Sequence, residues 1–172
     1  MKTGSDILVR PPGRAFWRGG SARCAIGRGG IGRKAAEGDG MTPIGRFPLR
    51  SVLYRAGRVI RPACPFPCRS IGKNDGWCDD PASPDYNRLV SLPHPARHEN
   101  LWRDDSLYDI VVVVGFNDDP AVPGLGSAIF IHVARPDYGP TEGCIALARD
   151  DLITLLTACG ADTFVKIEET PA

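Results

Sequence analysis

Long apolar runs are missing from this sequence: none approaches the ~20 residues that a membrane-spanning helix requires. Charge of one sign is missing as well. Lys and Arg total 21 against 20 Asp and Glu, a net charge of +1, and no basic block is interleaved with aromatics. Electrostatics therefore gives no reason to expect a nucleic acid or a membrane surface as partner. Helical periodicity is scarce, and there are no internal repeats. The glycine-rich stretch at residues 27–32 lacks the Lys-Ser/Thr ending and the following helix of a phosphate-binding loop, which removes nucleotide binding from consideration. The start, Met1-Lys2-Thr3-Gly4-Ser5-Asp6, has one lysine and no apolar segment, so it does not read as a secretory leader. That leaves three expectations open: residence in the cytoplasm, prior removal of a leader, or another route of export.

What is abundant is turn chemistry. Twenty glycines and sixteen prolines are scattered between apolar runs rather than gathered into a linker, the pattern of a turn-rich β protein. With 172 residues the chain suits one domain (1–172) with a substantial core. Segments 6–9, 47–54, 109–114 and 127–133 read as strands from their β-branched and aromatic content, with a short run at 24–26 and a last strand at 163–167. The run 127–133 is too apolar on both faces to lie at an edge. One helix is expected, opened by Asp150 or Asp151, with Leu152, Leu155 and Leu156 on its apolar face and Gly160 at its end. The expected fold is mainly β, a sandwich or mixed sheet with one or two short helices. Residues 61–100 differ in kind, with seven prolines, three cysteines, two histidines and little periodicity. They read as a long Pro/Cys-rich loop forming a lid or wall over a site.

The chemistry concentrates in residues 131–147. An apolar strand delivers His132 at its end, a Pro- and Gly-containing loop follows, and Thr141-Glu142-Gly143-Cys144 leads into a second apolar segment. Strand ends lying side by side would face His132 and Cys144 across the turn. A free thiol, with a pKa of about 8.5, is only a few per cent thiolate at neutral pH. A neighbouring imidazole can take its proton and hold the sulfur as the thiolate of an ion pair. Gly143 leaves the thiol unobstructed, and backbone N–H groups of Gly143 and Cys144 would point at the oxyanion of a tetrahedral intermediate.

These residues resemble the L,D-transpeptidase (YkuD-like) catalytic domain, whose motif places a histidine, a spacer, then Ser/Thr-His-Gly-Cys. The match falls on His132, Thr141, Gly143, Cys144 and Ile145. Glu142 stands where the family has histidine, Ala146 where it commonly has Arg or Asn, and the spacer is short. A divergent branch shares these departures, with Pro140-Thr141-Glu142-Gly143-Cys144-Ile145-Ala146-Leu147 preceded by the run Gly126 to His132. It also shows Gly38-Asp39-Gly40-Met41-Thr42-Pro43-Ile44-Gly45, Gly76 to Pro81, and Tyr86-Asn87-Arg88. The resemblance spans roughly residues 22–160 and puts the domain core at about 22–168.

The resemblance implies that Cys144 attacks a peptide carbonyl of a peptidoglycan stem, with His132 as base, and that an amine of a second stem resolves the thioacyl-enzyme into a cross-link. It implies a periplasmic or cell-wall place of action. It also implies linkage through L-alanine to diaminopimelate (1→3) in preference to diaminopimelate to diaminopimelate (3→3). Glu142 is one candidate to orient the imidazole. With Ala146 unable to bind a carboxylate, Arg88, Arg103 or Arg135 would read it. Tyr138 and Arg135 lie between base and nucleophile, while Asp79, Asp80, Tyr86 and Asn87 would form a polar wall. Trp77 and Trp102 read as anchors that pin a loop to the sheet.

Two other functions share this pattern. One is a hydrolase on the same scaffold, an L,D-carboxypeptidase or amidase; the other is a non-enzymatic wall-binding module with an inert Cys144. No cofactor is expected. Cys64, Cys68, Cys78, His94 and His98 suggest zinc, but no Cys-x2-Cys pair is present and Pro65 and Pro67 stiffen the spacer. A Cys68–Cys78 or Cys64–Cys78 disulfide is the expected alternative, with Cys24 and Cys159 as core thiols.

Overall fold

The computed structural model describes residues 6–169; residues 1–5, which carry most of the leader reading, and 170–172 lie outside the described residues. The elements are β1 (Ile7–Arg10), β2 (Arg14–Trp17), β3 (Gly20–Ala25), β4 (Ile31–Gly32), β5 (Thr42–Pro43), β6 (Gly45–Tyr54), β7 (Cys68–Ser70), β8 (Asp75–Cys78), β9 (Arg88–Ser91), β10 (His98–Asn100), β11 (Ile110–Val114), β12 (Phe130–Val133), β13 (Ile145–Leu147), α1 (Arg149–Ala158) and β14 (Phe164–Ile167). The fold is mainly β, as the sequence predicts. The helix is not opened by an aspartate cap: Ala148 holds that position, and Asp150 and Asp151 sit in the first turn. There they face the positive end of the helix dipole. Among the described residues no helix is long and apolar enough to cross a membrane.

The principal sheet runs β11-β12-β13-β3-β2-β1-β14-β6-β7, and β6 also pairs with β11. Ten-residue β6 is long enough to serve both neighbours: residues 45–48 lie beside β14 and residues 49–54 beside β11. Eight strands therefore close into a ring, which removes the open edges such a sheet would otherwise present. Side-chain alternation along the strands fills its interior. Ile7 and Val9, Val112 and Val114, Ile131 and Val133, and Val165 and Ile167 point inward, joined by Leu152, Leu155 and Leu156 of α1. Because β1 and β2 belong to this ring, the packed core begins ahead of residue 22.

The outward residues of β11 and β12 are buried too. Val111, Val113 and Phe130 pack against Leu53, Trp77, Leu101 and Tyr108. Strands covered on both faces read as continuous apolar runs, as 109–114 and 127–133 do. The outer cover is a three-stranded antiparallel sheet, β10-β8-β9. Trp77 on β8 meets Phe130 edge to face, centroids 5.1 Å apart. The stretch at 61–100 is thus not a plain loop. It holds four strands of three or four residues, too short and too polar to show a period.

All six cysteines are free. Neither expected disulfide forms, because Cys78 is sealed inside the small sheet while Cys68 lies on β7, beside β6 of the ring. Cys24 is buried in the core, and Cys159 packs half-buried against it.

Candidate active site

Alternation along β12 puts Ile131 and Val133 inside the ring and sends Phe130 and His132 outward. Strands β12 and β13 lie side by side and parallel, with Ile131 opposite Ile145 and His132 opposite Ala146. Cys144, the residue before β13, is thereby level with Phe130. It packs on the same outward cluster.

The Cys144 thiol is held by main chain. Sγ accepts from the Phe130 N–H at 3.3 Å and donates to the Ala128 carbonyl at 3.2 Å. Burial pushes its pKa up to about 12; the Phe130 N–H works against this, the charge of Glu99 adds to it, and Lys34 opposes it. His132 is 6% exposed, and burial lowers its pKa to about 4 against the opposing pull of the Val133 carbonyl. Burial therefore disfavours the charged form of each group and opposes the resting ion pair expected from sequence. The imidazole is nonetheless in a useful tautomer. Its Nδ1 lies 2.9 Å from the Val133 carbonyl, which can only accept, so Nδ1 carries the proton and Nε2 keeps a lone pair. The orienting role considered for Glu142 falls to that carbonyl. Glu142 points out to Arg28, 2.9 Å away, in an exposed ion pair.

The loop before Cys144 is fixed from beneath. Gly143 has φ +135°, and a Cβ there would stand 2.8 Å from the Met41 carbonyl oxygen. Thr42 Oγ1 accepts from the Gly27 N–H (2.8 Å) and donates to the Gly143 carbonyl (2.9 Å). The glycine-rich turn at 27–30 thus supports the loop before Cys144, with the Arg28 N–H donating to Thr141 O at 2.8 Å. Thr141 Oγ1 donates to Cys144 O (2.6 Å) and accepts from the Gly143 N–H (3.1 Å). Of the two oxyanion donors expected, Gly143's is engaged within the loop, and Cys144's is the remaining one.

A groove of about 830 Å³ opens over this floor, lined by Cys144, His132, Arg103, Arg135, Asp79, Thr141, Glu142 and Ala146 among the residues singled out from sequence. Tyr138, Arg88 and Tyr86 fall elsewhere. Tyr138 sits under Arg23, 4.4 Å from guanidinium to ring centroid, and lines a separate hollow with Pro12 and Ile26. Arg88 lines a separate apolar hollow with Trp77 and Leu89. Tyr86 is buried, its hydroxyl donating to Glu37 and accepting from the Gly126 N–H at 3.0 Å.

Asn87 does more than form a wall. Its Oδ1 accepts from Trp77 Nε1 (2.9 Å) and from the N–H of Ala128 (3.0 Å), the residue whose carbonyl holds the thiol. Sequence reasoning missed Lys34, Glu37, Glu99 and Tyr108, all of which line the groove. Tyr108 stands edge-on to His132 at 5.3 Å and donates to Glu99 at 2.5 Å. Lys34 pairs with Asp39 at 2.6 Å; Asp39 in the Gly-Asp-Gly motif was the available signal. Among the described residues no three His, Cys, Asp or Glu side chains are grouped to hold a metal ion.

None of the curated proteins matches the chain. Among solved structures it is similar to the helical cell shape determining protein Pgp2 from Campylobacter jejuni, with 16% identity and a TM-score of 0.44 over 99% of this chain and 50% of that one. A point mutant of that protein gives 18% identity and a TM-score of 0.39, with the same coverage. The chain thus spans about half the length of those proteins. The family pattern described as the YkuD L,D-transpeptidase catalytic domain matches residues 5–167, nearly the whole sequence. The chain belongs to the L,D-transpeptidase catalytic domain (YkuD) family.

Proposed function

We propose that this protein is a peptidoglycan L,D-transpeptidase acting at the cell wall, built as one catalytic domain whose 61–100 segment walls the groove. The observation that carries the reading is the pairing of Cys144 with a neutral His132 on one outward face of two adjacent parallel strands. As Sγ attacks the donor carbonyl, Nε2 takes the thiol proton, and the thiolate forms only as it is consumed. The Val133 carbonyl holds the imidazolium that results, and the Cys144 N–H faces the developing oxyanion. The imidazolium then protonates the leaving amine, and a thioacyl-enzyme remains. An amine of a second stem attacks it, and His132 takes that amine's proton and passes it to the departing sulfur.

Arg135 is the groove cation best placed to read a stem carboxylate, since among the described residues no ion pair engages it. Ala146, 1% exposed and opposite His132, offers no charge or amide beside the thiol. A donor read from Arg135 rather than from the position after the nucleophile favours 1→3 linkage over 3→3.

The test is tandem mass spectrometry of products from purified muropeptides with the wild type and Cys144→Ala. Cross-linked dimers joined L-alanine to diaminopimelate, absent with the variant, are expected. Dimers joined only 3→3 would overturn the linkage; trimmed stems without dimers would make the protein a hydrolase. A variant retaining a tenth of wild-type product would move the nucleophile elsewhere.

A further inference from the structure

The groove's charges are unevenly matched. Lys34 is paired with Asp39 (2.6 Å), Arg97 with Asp79 (3.0 Å) and Arg103 with Asp105 (2.6 Å). Two carboxylates lining the same space, Glu37 and Glu99, make no direct ion pair among the described residues, and Arg97 and Arg103 act on them only at longer range. Glu37 has one oxygen occupied twice over, by the hydroxyls of Tyr86 and Ser127. Glu99 has one hydroxyl, that of Tyr108, on Oε1, and among the described residues no donor bonds to its Oε2. Of the two, Glu99 is the one whose charge reaches the Cys144 thiol. Tyr108 ties it to the reacting pair, since the same ring stands against His132 at 5.3 Å and Phe130 at 6.0 Å.

A half-buried carboxylate opposes the negative charge that develops on sulfur and on the carbonyl oxygen in the first half of the reaction. Its chemistry suits the second half. The acceptor arrives as an ammonium ion, which has no lone pair with which to attack a thioester, and it must find a counter-charge and lose a proton.

We propose, on the transpeptidase reading above, that Glu99 receives the acceptor: its free Oε2 binds the incoming ammonium and takes one proton from it. The neutral amine then attacks the thioester carbonyl, forming the C–N bond as the C–S bond breaks. The second proton passes through His132 Nε2 to sulfur, and Glu99 releases its own to solvent. Burial raises the Glu99 pKa against the pull of Tyr108 and Arg103, with Asp79 adding to the rise. That brings the carboxylate closer to the amine in basicity and eases the transfer.

The test counts how each thioacyl-enzyme is resolved, so it does not depend on how fast that intermediate forms. The purified chain is given a muropeptide donor with either N-acetyl-lysine, an ammonium ion at pH 7, or hydroxylamine, neutral at pH 7. The ratio of amine-captured to water-captured product is read by mass spectrometry. Glu99→Gln, which is isosteric and still accepts from Tyr108, is expected to lower the N-acetyl-lysine ratio about tenfold or more while leaving the hydroxylamine ratio within about twofold. Glu99→Asp is expected to recover part of the loss. If both ratios fall together, Glu99 only shapes the groove and the proposal is overturned; if neither falls, it is overturned as well. A wild type that yields no captured product with either amine would instead bring down the transpeptidase reading, and the role of Glu99 with it.

Discussion

At His132, burial sets a pH dependence that can be read from unfolding. The unfolded imidazole titrates near 6.5, whereas the folded one resists protonation down to about 4. As pH falls through this window the unfolded chain gains a proton that the native state does not, so stability is lost. The loss reaches about 3 kcal/mol at the acid end. Denaturant unfolding from pH 7 to pH 4 should show this fall, and His132→Gln should flatten it; parallel curves would mean that other groups control acid stability. Cys144 runs the other way in its reactivity. With its pKa near 12, alkylation of the resting thiol by iodoacetamide should climb with pH and show no plateau at pH 6–8. A plateau there would restore the ion pair. On the proposed role of His132 as base, His132→Ala should lower turnover by about 10²–10⁴.

Among the elements, β5 carries more than its two residues suggest. Thr42 is fully buried and joins the turn at Gly27 to the loop at Gly143 through one hydroxyl. Thr42→Val keeps the shape but strands a buried N–H and a buried carbonyl. It should cost about 2 kcal/mol or more in chemical denaturation and reduce turnover by loosening Gly143, whereas Thr42→Ser should retain most of both. A Thr42→Val protein as stable as wild type would mean that water or a shifted loop replaces the hydroxyl. Elements were legible in the sequence in proportion to their burial. Strands β11 and β12, covered on both faces, announce themselves in Ile110–Val114 and Phe130–Val133. Strand β10, His98–Asn100, contains nothing apolar. It exists because β8 pairs with it and Trp77 anchors the small sheet on Phe130, information that no local window contains.

For the molecule as a whole, closure of the ring is the governing constraint. Strand β1 bridges β14 and β2, so a chain beginning at residue 22 would expose the edges of both β14 and β3 and lose Ile7 and Val9 from the core. Such a truncation should be insoluble or lack a cooperative thermal transition; a soluble, cooperatively melting fragment would show that the remaining strands close without it. The same long-range assembly limits what could be read of the site. Cys144 and His132 were legible because they are near in sequence and flank one loop. Lys34, Glu99 and Tyr108 were not, since they come from three separate segments that meet only when the ring closes and the small sheet settles on it.

One contact of the resting thiol then takes on a meaning for the cycle. Sγ both accepts from Phe130 and donates to Ala128, filling the place of a backbone rung at the head of β12. In the proposed thioacyl-enzyme, sulfur has no proton to give, and the Ala128 carbonyl loses its donor until the product leaves. Each turnover therefore unlatches and relatches the start of a central strand, and the exchange rate of the Phe130 amide becomes a built-in record of whether the nucleophile is loaded.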